Sequence, residues 1–135
     1  MPDARPHVSA ATRRRPVYLN LPRIRQPIPA IASILHRISG AALFFFGVPF
    51  VLCAVQASLT SAEAFEGFRA QLDSPLVKLA LFVLLWAYIH HTLAGIRHLL
   101  MDVHVGEELK PARLSATIAT VGAVLLTLVA MARLW

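Results

Sequence analysis

The chain has 135 residues, 57% of them hydrophobic and only 15% charged, with a mean hydropathy of +0.64. Soluble domains carry about 25% charged residues, so a small water-soluble globule and a disordered chain are both excluded, and one compact membrane domain remains. The single Cys excludes a disulfide framework, a Cys-based zinc site and an iron–sulfur cluster held by this chain alone.

The net charge of +6 is concentrated at the N-terminus: residues 1–37 hold seven Arg against Asp3, while residues 38–135 hold six basic and six acidic groups. Residues 1–30 form a basic segment whose first 27 residues contain no apolar h-region, so no secretory signal is expected. The segment runs directly into apolar sequence with no nucleic-acid module behind it, and no nucleic-acid partner is expected. A juxtamembrane basic tail keeps the N-terminus in the cytoplasm; an organellar transit peptide is the alternative. PVYLNLPRIRQPIP, rich in Pro, reads as an irregular segment lying along a surface.

A three-span transmembrane domain is expected over residues 31–135, with spans at about 31–56, 77–101 and 114–134. Their charge-free stretches cover residues 38–62, 79–96 and 114–132, each close to the roughly 20 residues a membrane helix needs. Apolar residues occupy every face, which removes the amphipathic soluble helix. The fold class is therefore all-α with three transmembrane helices. In the first span Pro49 is expected to bend the helix, and Cys53 reads as a small buried hydrophobe. Between the first two spans, TSAEAFEGFRAQL suggests a Thr60/Glu63 capping box and an interfacial helix with Phe65, Phe68 and Leu72 on one face. Trp86 and Tyr88 read as packing or lipid-facing aromatics. With the N-terminus inside, the 56–76 loop lies outside, the 102–113 loop inside, and the C-terminus outside with Trp135 at the headgroups.

Polar residues within apolar spans point to function. One cluster, Ser33-Ile-Leu-His36-Arg37-Ile-Ser39-Gly40, lies at the inner end of the first span. The other runs from Tyr88 through His90, His91, Thr92, Gly95, Arg97 and His98 to Asp102. At 100° per residue His91, Gly95 and His98 share one helix face. A glycine one turn from a histidine leaves room for a large flat group, and neutral imidazole is a common axial ligand of haem iron. An interhelical hydrogen-bonding role is the alternative for such a histidine. His90 and Arg97 share the neighbouring face, where Arg97 suits either a haem propionate or the inner headgroups. His91 and His98 are about 10 Å apart along one helix and cannot take opposite sides of one iron. An opposite ligand would be His36 or a histidine of a partner subunit. Ser33 and Arg37, four residues apart, also share a face.

RPVYLNL, PIPAIASILHRISG and the H-x-x-x-G-I-R-H-L-L-M-D block together resemble the cytochrome b membrane-anchor subunits of succinate dehydrogenase (succinate:quinone oxidoreductase, respiratory complex II), from about Arg15 to the end. The proteobacterial type looks closest. The resemblance implies half of a heterodimeric anchor bundle in the bacterial inner membrane (or the mitochondrial one). It implies partnership with a sister anchor, an iron–sulfur subunit and a flavoprotein, in contact with membrane lipid. His91, set by the fixed spacing to Gly95, matches the axial ligand of a haem b shared with the sister subunit. Ser33 and Arg37 match the positions lining the ubiquinone pocket, and His36, Arg37, Gly95 and His98 fall in the haem pocket or near the propionates. A quinone carbonyl needs a hydrogen-bond donor, and a nearby cation stabilises the negative charge of the half-reduced ring; Ile34 and Ile38 would wall the ring and tail. The isolated chain would then oxidise no succinate. A quinol:fumarate reductase anchor and a structural anchor without haem are the competing expectations.

Overall fold

The computed structural model describes Asn20 and residues 23–134, which are helical apart from short connections. Most of the basic segment, residues 1–19 and 21–22, and Trp135 lie outside the described residues, as does RPVYLNL except for Asn20. A turn closed by Arg23 N–H on the Asn20 carbonyl (3.0 Å) leads to α1 (Ile28–Ala42), capped by Pro27, with a second proline in its first turn. A proline there loses only an N–H that would be unpaired anyway.

α1 continues through a wide π turn (Leu43–Gly47) into α2 (Val48–Thr60). Pro49 has no N–H and crowds the turn before it. The bend expected of Pro49 takes the form of this π turn, in which the Val48 N–H reaches the Leu43 carbonyl. α1 packs on α4 (Pro75–Asp102) and α5 (Leu109–Leu134), which also pack on each other; beyond the turn no Cα of α2 comes within 8 Å of α4 or α5. A cavity of about 560 Å³ fills the wedge, lined by Leu43, Gly47 and Val51 of the first span, Leu84 and Tyr88 of α4 and Met131 of α5, among others.

α2 ends at Thr60, whose hydroxyl donates to the Gln56 carbonyl (2.7 Å). Ser61, in extended conformation, caps α3 (Ala62–Leu72) by accepting the Ala64 N–H at 3.0 Å. The expected Thr60/Glu63 box is thus replaced by a Ser61 cap, because the backbone breaks one residue later than the spacing suggested. Phe68 of α3 lies against Phe50 of α2, whereas Phe65 is exposed.

Among the described residues three helices, Ile28–Thr60, Pro75–Asp102 and Leu109–Arg133, are long and apolar enough to cross a bilayer. The first, at 33 residues, is about 50 Å long against a hydrocarbon core of about 30 Å, so it tilts or projects into the headgroups.

The core of the bundle is built from small residues. α5 buries Ala112, Ala116, Ala119, Ala123 and Thr127, α4 buries Ala87, His90, Ala94 and Arg97, and α1 buries Ala32 and Ser39. The large apolar side chains, including Phe44, Phe45, Phe46 and Leu128, point outward. Lipid tails are as apolar as leucine, so burying leucine gains little; small residues let backbones approach and gain dispersion contacts instead. Cys53, expected inside, is exposed on α2, because beyond the π turn α2 diverges from α4 and α5 and buries none of its residues. Ala116 is completely buried, so Ala116→Leu is expected to destabilise the bundle by about 1–3 kcal/mol, read as reduced accumulation and a lower melting temperature of the purified complex.

The α4–α5 connection returns the chain through a Schellman turn. His104 N–H bonds the Met101 carbonyl and Val105 N–H the Leu100 carbonyl, both at 2.9 Å, with His104 at φ 62°. His104 also contacts the Glu107 carboxylate. The start of α1, the end of α4 and the start of α5 therefore meet at one end of the bundle.

Candidate functional site

At that end the two histidine-bearing motifs meet. The His36 ring of α1 stacks on His91 of α4 with centroids 4.2 Å apart and planes 18° from parallel, and lies 5.1 Å from the His98 ring. His91 Nδ1 is 3.0 Å from the backbone carbonyl of His36 and 3.4 Å from Ser39 Oγ. A carbonyl can only accept, so Nδ1 carries the ring proton and Nε2 keeps its lone pair. Ser39, itself buried, donates its hydroxyl to the same carbonyl at 2.9 Å.

Glycine spacing had pointed to Gly95 as the place where a large group could approach. A Cβ built on Gly95 would stand 3.6 Å from His36 Nε2, an ordinary contact. The tight approach is at Gly40, where a Cβ would stand 2.7 Å from His91 Cε1 and 3.2 Å from Nδ1. Ser39 and Gly40 belong to the first polar cluster of the sequence, but spacing along one helix assigns neither of them a role.

His90 and Arg97, on the neighbouring face of α4, are buried against the rest of the bundle. His90 is wholly inaccessible and stacks on Trp86 at 5.3 Å. It sits near the backbones of Ala32 and Ala119 without a hydrogen bond of good geometry to either ring nitrogen. Arg97 was expected to reach a propionate or the headgroups. It turns instead to α5, its Nε donating to Ser115 Oγ at 3.0 Å and Nη2 to the Ala112 carbonyl at 3.3 Å. This ties the two helices together with a desolvated cation.

Ser33 and Arg37 lie one turn apart on α1, Ser33 half-buried and Arg37 exposed, beside exposed Ile34 and Ile38. Other Ser and Thr residues inside the helices, such as Ser39, Ser58, Thr92 and Thr127, bond back to a carbonyl three or four residues earlier. Among the described residues the Ser33 hydroxyl and the Arg37 guanidinium make no such bond. Both therefore remain as donors at the surface. No group of three or more His, Cys, Asp or Glu among the described residues is placed to hold a bare metal ion.

Residues 11–130 match the sequence profile of the succinate dehydrogenase/fumarate reductase transmembrane subunit family. The succinate dehydrogenase cytochrome b556 subunit of Coxiella burnetii is 39% identical over 104 residues, covering 76% of this chain and 82% of the relative. That of Paracoccus denitrificans is 34% identical over 117 residues, covering 87% and 89%. That of Rickettsia conorii is 28% identical, covering 84% and 88%.

Proposed function

The chain belongs to the family of succinate dehydrogenase/fumarate reductase transmembrane subunits, and on that premise we propose that it anchors a succinate:quinone oxidoreductase, co-ligates a haem b through His91 and supplies Ser33 and Arg37 to the site where ubiquinone is reduced. Succinate oxidation belongs to the partner flavoprotein, and an iron–sulfur subunit docks at the end of the bundle where His36, Arg37 and His98 gather. That end faces the cytoplasm, in keeping with the basic N-terminal segment.

The strongest support is the His91 imidazole. Its Nδ1 proton is held on the His36 carbonyl, the usual outer partner that fixes a ligating histidine's tautomer and orientation, and this leaves Nε2 free to coordinate. One imidazole suits an iron that already carries four porphyrin nitrogens and fits no bare ion. His36 cannot be the opposite ligand, because its ring lies flat against His91 at 4.2 Å with no room for a porphyrin between them. This arrangement supports a far ligand supplied by a sister anchor, as the family resemblance implies. A haem bound here supplies a one-electron carrier beside the quinone site.

This chain's residues do the rest. The Ser33 hydroxyl donates to one quinone carbonyl, and the Arg37 guanidinium stabilises negative charge on the same oxygen during reduction. Ile34 and Ile38 give the ring an apolar wall, and the length of the first span sets this turn at the membrane edge. The test is the dithionite-reduced minus oxidised optical spectrum of the complex purified through this chain: a haem b α-band is expected, and a colourless complex would contradict the proposal.

A further inference from the structure

We infer that Gly40, with the His36 carbonyl, positions His91: the carbonyl sets which ring nitrogen is protonated, and the absence of a side chain at Gly40 sets where the ring lies. This rests on the reading of His91 as an axial ligand. A glycine inside a helix is worth about 1 kcal/mol less stability than alanine, so Gly40, in the last turn of α1 but inside the continuous helical span Ile28–Thr60, calls for a steric reason, and the ring of His91 supplies it. An alanine Cβ would come within 2.7 Å of Cε1, a separation that side chains do not tolerate. The ring cannot simply retreat, because it is held at Nδ1 by the His36 carbonyl and on one face by the His36 ring. Moving it breaks the hydrogen bond or turns the imidazole plane. No other glycine among the described residues is so constrained: a Cβ on Gly47 would meet the flexible end of Leu43 at 3.3 Å, one on Gly122 would meet Leu93 at 3.9 Å, and one on Gly67 would meet nothing within 4 Å. Gly40 is thus a positioning residue that acts through His91.

The test uses the assembled complex in its native membrane, with Gly40→Ala, the packing control Gly122→Ala and the ligand control His91→Ala. Haem content per complex and the g values of the ferric haem, which follow the orientation of the axial imidazole planes, are measured. Gly40→Ala is expected to weaken haem retention about 10-fold, the scale of a lost outer-shell contact, or to shift the largest g value, while Gly122→Ala changes neither. Full haem content with an unaltered spectrum in Gly40→Ala overturns the inference. If Gly40→Ala does not accumulate, the Gly40→Ala/His91→Ala double variant decides. Removing the imidazole removes the obstacle, so the double variant should accumulate like His91→Ala alone, and its failure to do so overturns the inference. Retention of haem in His91→Ala would instead overturn the ligand reading on which the inference stands.

Discussion

His91→Ala is expected to remove the haem b absorbance of the purified complex while the polypeptide still accumulates. The two effects separate because His91 is only half-buried and the bundle is held by small residues elsewhere, chiefly Ala87, Ala94, Ala116 and Ala123. Loss of an axial bond should exceed the 10–100-fold effects typical of outer-shell partners. His90→Ala gives the complementary result. It deletes a fully buried ring stacked on Trp86 and so lowers stability through a packing defect, yet leaves the α-band of the complex that does assemble in place. A complex that keeps its spectrum without His91 and loses it without His90 would reassign the ligand by one residue.

Arg37→Ala is expected to lower succinate-dependent quinone reduction about 100-fold, the scale of removing one charge-stabilising donor from a reaction site. Reduction of an artificial dye by the catalytic subunits should persist. Arg37 is exposed and Ser33 has no back-bond, so neither substitution leaves a buried partner unpaired, and assembly should survive. Ser33→Ala removes one neutral hydrogen bond of about 1 kcal/mol, a loss of several-fold in the same assay. Arg37→Lys should fall between wild type and Arg37→Ala, since the charge remains but the planar fork does not. Parallel loss of quinone and dye reduction in these variants would place Ser33 and Arg37 in assembly and not at the quinone.

Much of this architecture is written in hydropathy. Three charge-poor runs of near-spanning length became three long helices, since a bilayer forces every backbone group to be paired within its own segment. Which face of each helix points inward was far less legible. In water the large apolar residues mark the core, but here the seam is mainly alanine, with Ser39, Thr127, His90 and Arg97, and a small residue such as Cys53 is indistinguishable from its alanines until the helices are docked. Helical periodicity did bring His91 and His98 to one face and Ser33 above Arg37. It also separated His90 and Arg97 from them, but it could not show that these two turn toward the bundle seam, with Arg97 bonded to Ser115 and the Ala112 carbonyl. The roles of the His36 carbonyl and Gly40 were out of reach because both depend on an interhelical approach of a few ångströms. The Thr60 and Ser61 exchange at the α2–α3 boundary shows the usual one-residue uncertainty of a cap placed by spacing.

An experimental density map of the whole complex, at a resolution that defines ring orientations, addresses the central claim most directly. It should show His91 Nε2 bonded to a porphyrin iron, Nδ1 still hydrogen-bonded to the backbone oxygen of His36, and a histidine of another polypeptide on the opposite face. Both axial bonds arising from this chain, or an iron with no bond to His91, would contradict it.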